Sequence, residues 1–475
     1  MKTGGKRFRR AACKSVLALG LPLALAACVA PPAAEGEPPA AIELPARWSA
    51  PVPEQAASAT GLAAWWQRFG DAELSALVED ALRTSPTVEA AMAALRQSRA
   101  LADVAAAGLL PSVGATASAQ RSGTAAQGSS NRFAAGLNAS WEPDLSGGTR
   151  AGAEAAALDA RAAQLRLADV QVSLAAEVAL AWIDARLLHA RQAIAQDNLQ
   201  AQEDTLRIAR WRHQAGLVSA LDVEQASAAA EQTRAQLPLL RASLAQARHR
   251  LAVLSGRPPA ALPELAGGAV PLPPDVLALA FPADTLRQRP DVRQAEAQVL
   301  AARARVAQAD AARWPSLNLS GSLGLQALTL GGLTGGGAAV RSLMAGLSLP
   351  LFDGGAIAGR LRAQQAAREQ ALAHYRASVL GALQEVEDAL AALAGDRARG
   401  VSLQAAAQAA ERAQALARQQ YQAGLIDFNA VLQSQRTQLA AQDSQASARA
   451  SLAANHVRLY KALGGGWAAG SADPK

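Results

Sequence analysis

Cysteine is almost missing from this chain: Cys13 and Cys28 are the only two in 475 residues, and with Cys13 inside a leader expected to be removed, one thiol remains and no disulfide framework is expected. The five histidines, His189, His213, His249, His374 and His456, show no HExxH or other metal-ligand spacing. No GxSxG nucleophile elbow occurs, and GGLTGGG at 331–337 lacks the Lys-Ser/Thr ending of a phosphate loop. These absences leave no metal site, nucleophile or nucleotide cradle, and no enzyme is expected. Aromatics are scarce too, at 4%, which excludes a large aromatic-rich core. Alanine dominates instead; it has the best helix propensity and lets backbones approach, so the composition suits long, closely packed helices.

Six basic residues, Lys2, Lys6, Arg7, Arg9, Arg10 and Lys14, precede an apolar run from Val16 to Ala27. This is the layout of a secretory signal peptide. Its roughly 12 apolar residues fall short of the ~20 that span a bilayer. The run ends Leu25-Ala26-Ala27-Cys28, which resembles the bacterial lipobox, where the cysteine is acylated and becomes the new N-terminus. Residues 1–27 are therefore expected to be removed and Cys28 to carry diacylglycerol and a fatty acyl chain, with no other cofactor. Val29 stands where an inner-membrane retention signal would place Asp, so the resemblance points to the outer membrane. The formal net charge of +7 falls to +1 without the six leader charges. A nucleic-acid partner, which needs a basic face, is not expected.

Residues 28–71 read as a lipidated tether, rich in Pro, Ala and Glu over 29–60. From Ala72 onward the chain repeats itself. LRTSPTVEAA (82–91) matches LRQRPDVRQA (286–295), GLLPSVGATAS (108–118) matches ARWPSLNLSGS (312–322), DLSGGTRAG (144–152) matches LFDGGAIAG (351–359), and QAGLVSALDV (214–223) matches QAGLIDFNAV (422–431). The offset drifts only from 204 to 208, as loop insertions allow. A first repeat at 72–256 and a second at 284–463 are separated by a Pro-rich connector at 257–283 and followed by a tail at 464–475.

Each repeat is predicted to run helix, two strands, long helix, sharp turn, helix. Leu165, Val172 and Ala179 recur every seven residues, matched by Leu372, Val379 and Val386, which is the spacing of coiled-coil packing. No proline falls in 144–237 or 351–472. Helices of roughly 65 residues, about 100 Å long at 1.5 Å per residue, are therefore allowed. Helices near 73–108 and 219–254 flank the first long one and could stack end to end along it. The helices alone leave a rod or coiled-coil scaffold open beside a channel.

Four runs alternate small apolar and polar residues, at about 111–121, 132–142, 315–326 and 341–350. Their length and rhythm are those of transmembrane β-strands. The segments 121–131 and 330–338 read as exposed turns. Four strands cannot close a barrel, and open edges are not tolerated in lipid, so the chain must oligomerise. Two, three or four copies would supply eight, twelve or sixteen strands.

The stretch WSAPVPEQAASATGLAAWWQRFGDAELSALVEDALRTSP (48–86), the duplicated strand pairs and YQAGLIDFNAVLQSQ (421–435) resemble the TolC-type outer-membrane efflux channels, in particular their NodT-type lipoprotein subgroup. The resemblance covers the chain from Cys28 to about Trp467. It implies a mainly α fold with a membrane β-barrel: a homotrimer whose twelve strands form one barrel, continuous with a long helical tunnel in the periplasm. It also implies a periplasmic adaptor and an inner-membrane pump, commonly of the proton-driven resistance-nodulation-division class, with this chain as the passive exit duct in outer-membrane lipid. The turns at Gly216 and Gly424 would be the periplasmic tips, glycine supplying a positive-φ turn. In closed members the tips are linked, and the matching residues here are Tyr421 and Asp222. The family's second-repeat arginine falls at Ile426 and its pore-lining aspartates at Ala430 and Gln433. The gate candidates are thus Asp222, Tyr421, Asp427 as the other nearby acid, Gln433, and Leu432 if the gate is apolar. A periplasmic adaptor or coiled-coil scaffold lipoprotein is the alternative; the first should show one hairpin and no paired membrane strands, the second no strands.

Overall fold

The computed structural model describes residues 45, 47–49, 62–124, 128–265, 267–274, 286–335 and 338–467. The leader 1–27, Cys28, most of the tether, residues 275–285 at the junction of connector and second repeat, and the tail from 468 lie outside the described residues.

The first repeat opens with α1 (Ala72–Thr84) and α2 (Pro86–Ala107) rather than the single helix expected near 73–108. Asp71 starts α1 by accepting the amides of Glu73 and Leu74, each at 3.0 Å. Ser85 ends it in an extended conformation, because the residue before a proline is pushed out of the helical region and Pro86 has no N–H to continue the ladder. The second repeat breaks the same way at Arg289, ahead of α5 (Pro290–Ala311).

Strands β1 (Ser112–Thr124) and β2 (Gly128–Trp141) follow α2, and β3 (Ser316–Ala327) and β4 (Ala339–Ser348) follow α5. They form one antiparallel sheet in the order β1-β2-β3-β4, so β2 and β3 join the two repeats and β1 and β4 are edges. The expected turn at 121–131 is shorter than predicted, since Arg121–Thr124 pair with Asn131–Gly128 and continue the ladder. At the other turn Gly331–Thr334 form a 3-10 segment. The register puts odd-numbered residues of all four strands on one face, including Val113, Leu137, Trp141, Leu319, Leu323, Leu343 and Leu347. The other face carries Ser112, Thr116, Asn138, Ser140, Asn318, Ser322 and Ser342. On it Asn138 donates to Thr116 at 2.9 Å, and Ser322 and Ser342 share a bond of 2.7 Å.

The long helices are α3 (Gly148–Gln214) and α6 (Ala356–Gln422), each of 67 residues. Carboxylates start both: Asp144 accepts the amide of Arg150 at 2.8 Å, and Asp353 that of Ile357 at 2.6 Å. Of the heptad positions, Leu165, Val172, Ala179, Val379 and Val386 are buried and Leu372 is half-buried. The return helices are α4 (Ala220–Leu254) and α7 (Phe428–Ala462). Pro238 lies inside α4 without ending it, at the loss of one helical hydrogen bond. Among the described residues, no helix is long and apolar enough to cross a membrane.

Two compact units emerge, and neither is a repeat. One contains 94–163 and 294–376 and holds the sheet; the other contains 43–93, 164–293 and 377–475 and holds the helical hairpins. In the second unit, the 3-10 turn Trp65–Phe69 is an aromatic plug, with Trp65 stacked on Tyr460 at 5.2 Å. Nearby, Arg289 donates to Asp291 at 2.7 Å and to the carbonyl of Ala462 at 2.8 Å, and pairs with Glu385 at 2.8 Å.

Candidate functional site

Both helical hairpins turn by the same device. In the first, the Gly216 amide donates to His213 O at 2.9 Å and the Leu217 amide to Arg212 O at 2.8 Å; in the second, Gly424 donates to Tyr421 O at 3.0 Å and Leu425 to Gln420 O at 2.9 Å. This is the Schellman pattern, and it places the glycine in the left-handed region. Gly216 has φ 73° and Gly424 φ 76°.

The acids at the turns are occupied with helix starts. Asp222 stands third in α4, where its Oδ2 accepts from the Ser219 amide at 3.0 Å and the Ser219 hydroxyl at 2.8 Å, while Ser219 Oγ accepts the Asp222 amide at 3.3 Å. That is a closed capping box. In the second hairpin the acid moves to the cap itself: Asp427 accepts the Ala430 amide at 2.9 Å. The repeats thus keep one capping carboxylate each, at different positions.

Within the chain Tyr421 and Asp222 are not hydrogen-bonded to each other. Tyr421 points into the hairpin core, where its ring meets Phe428 at 5.5 Å and lies under the Arg212 guanidinium at 4.3 Å. Its hydroxyl is buried without a hydrogen-bond partner among the described residues. Asp222 has the nearer partner in Ser219, and a local capping box needs no long side chain to be held in place. Leu432 belongs to the same buried cluster, with Ala209, Ala226, Ala229, Phe428 and Val431. Gln433 is exposed. Tyr421 and Leu432 thus share one buried cluster, of which Asp222, Asp427 and Gln433 are not members.

Sequence reasoning missed two participants. Arg212 ties the hairpins together, donating to Gln422 O at 3.1 Å besides covering Tyr421. Its counterpart 208 positions on is Gln420, and that departure from the repeat is the signal that could have found it. Gln435, buried, donates to Thr205 Oγ1 at 2.9 Å and spans α7 to α3. Beside exposed polar side chains such as Gln214 and Asn429, the turns leave apolar ones in solvent: Leu217, Leu221 and Leu425 are each more than 60% exposed, as is Trp211. Single exposed leucines need no explanation; Leu217 and Leu425 are exposed at matching positions of the two turns.

Comparison with known proteins follows from this geometry. A family model described as outer membrane efflux protein matches residues 77–257 and 281–465. The chain is similar to the pyoverdine export outer membrane protein OpmQ of Pseudomonas aeruginosa, 37% identical over 430 residues that span 86% of this chain and 88% of that protein. It is 30% identical over 452 residues to nodulation protein T of Rhizobium leguminosarum bv. viciae, spanning 94% of this chain and 93% of the other. The solved outer-membrane channel OprN superposes with a TM-score of 0.83 at 33% identity, covering 93% of this chain and 99% of that one.

Proposed function

The chain belongs to the outer membrane efflux protein family, and from that premise we propose that three copies form the passive exit duct of a tripartite pump. One observation carries the proposal. The sheet has an apolar face, a polar face and two unpaired edges, and open edges in lipid must be closed by further strands. Pairing β4 of one copy with β1 of the next closes twelve strands, turning leucines to lipid and Ser, Thr and Asn to a wet lumen. Neither a coiled-coil scaffold nor an adaptor has a use for such a sheet.

The helical hairpins then descend into the periplasm as the tunnel, and their turns meet a periplasmic adaptor that couples them to an inner-membrane pump of the resistance-nodulation-division class. The exposed Leu217, Leu221 and Leu425 suit an apolar partner surface. In this reading Asp222, Asp427, Tyr421 and Leu432 act on the gate by holding the shape of each tip, while Gln433 is free to meet another copy. Acylated Cys28 anchors the chain to the inner leaflet of the outer membrane. The pump selects the cargo.

Cysteines at Leu217 and Leu425 are expected to cross-link to the adaptor in cells, and one at Ser130 to react with a membrane-impermeant maleimide added outside. Labelling of the two leucine positions from outside, with Ser130 protected, would invert the topology and refute the proposal.

A further inference from the structure

The described strands contain only three charged residues, Arg121, Arg132 and Arg341, and no acid. All three lie in the half of the sheet next to the strand turns. Arg132 pairs with Gln120 on the polar face, where a charge meets water. Arg121 and Arg341 do not: both are odd-numbered, and the register sets them on the leucine face, Arg121 across from Asn131 and Arg341 across from Leu323. Both are exposed, and neither forms an ion pair with a described residue. Arg121 donates one bond, to Ser129 Oγ at 3.1 Å, which leaves the rest of its guanidinium fork for another acceptor.

We infer that Arg121 and Arg341 bind the phosphates of a lipid headgroup in the outer leaflet, a reading that rests on the barrel proposed above. An arginine on a lipid-facing strand surface is strongly unfavourable at mid-membrane and nearly neutral at the interface. Each sits within three residues of the turn-side end of its strand, Arg121 ahead of Thr124 and Arg341 after Ala339, which is where the apolar band must end. The two margins of that band are built differently. On the helix side it ends at Trp141, whose indole donates to Leu109 O at 3.1 Å, an amphipathic ring of the kind that sits at a headgroup boundary. On the turn side there is no Trp or Tyr in β1 to β4, and arginine takes the place. The strands themselves hold no carboxylate to pair with either arginine. A phosphate monoester or diester matches the planar fork of arginine. Closure of β4 on the next β1 would make neighbours of the strands that carry Arg341 and Arg121 at every subunit boundary.

The test uses the full-length protein, purified as its oligomer and placed in phosphatidylcholine nanodiscs doped with either bis-phosphorylated lipid A or the same glycolipid after enzymatic dephosphorylation. Native mass spectrometry of the released oligomer counts retained lipid. The wild type is expected to retain the phosphorylated form at least tenfold over the dephosphorylated one. Arg121→Gln/Arg341→Gln should abolish that preference, Arg132→Gln should keep it, and millimolar inorganic phosphate should not displace the lipid. Equal retention of the two lipids by the wild type, an unchanged preference in the double variant, or displacement by free phosphate would overturn the inference while leaving the barrel intact. A wild type that yields no trimer would overturn both.

Discussion

The buried hydroxyl of Tyr421 has no hydrogen-bond partner among the described residues, so the value of the residue lies in its ring. Removing an unpartnered polar atom costs little or nothing, whereas truncating the ring strips its contacts with Phe428 and Arg212. Tyr421→Phe should leave amide hydrogen exchange across 205–226 and 421–435 unchanged; Tyr421→Ala should accelerate it by an amount equivalent to about 3 kcal/mol. Asp427→Ala, which removes a cap, should fall between them at about 1 kcal/mol. Equal loosening by the Phe and Ala variants would show that the hydroxyl has a partner after all. A second residue carries a pH signature. Burial, reinforced by the charge of Asp291, raises the pKa of Asp169, although Arg166, Lys461 and Arg289 oppose the shift. A carboxyl with a raised folded pKa binds its proton more tightly when folded, so its ionisation costs stability above that raised value and costs none below its unfolded value of 3.8. Asp169→Asn should therefore raise the melting temperature at pH 7 and lose the advantage as pH falls to 3.8. An advantage that is constant with pH would assign the effect to packing instead.

At the scale of the element, the seam between the repeats is the most exacting contact in the sheet. Gly136 and Gly324 face each other across β2 and β3, and a Cβ on either would lie 2.7–2.9 Å from backbone atoms of the other strand. A glycine at such a place is there because another backbone passes close by. Gly114 and Gly346, on the same polar face, have open space where a Cβ would go. Gly136→Ala and Gly324→Ala should each lower the temperature at which the oligomer dissociates in sodium dodecyl sulfate, and Gly114→Ala and Gly346→Ala should not. Equal behaviour of the four variants would contradict the close seam. This seam also marks a limit of what was legible beforehand. The seven-residue stripe through Val172 and Ala179 exposed the long helices, and the alternation of Leu317, Leu319, Leu323 and Leu325 with polar neighbours exposed a strand, because both periods are written in side-chain chemistry. The continuation of β1 through Arg121–Thr124 was hidden, since backbone pairing needs no particular side chain at a polar strand end. The break at Ser85 could have been read from Pro86. The duties of Asp222 and Asp427 could have been read as well: Ser219 precedes Asp222 by the capping-box interval, and Asp427 directly precedes the first residue of α7.

At the scale of the whole molecule, duplication and packing follow different divisions. Each repeat supplies two strands to the unit that holds the sheet and a hairpin to the unit that holds the turns, so neither repeat has a complete core of its own. The four-stranded sheet is likewise unfinished, with both edges unpaired within the chain. The barrel proposed above for this member of the outer membrane efflux protein family would give that incompleteness its reason, for a subunit of a shared barrel is complete only among its copies. The most direct test is electrical. Purified oligomer, confirmed as a trimer by its mass, is added to one side of a planar lipid bilayer and the current is recorded at fixed voltage. Discrete, equal conductance steps that vanish when the sample is first heated to its monomer are the expected result; a native trimer that inserts into the bilayer without passing ions would contradict the account.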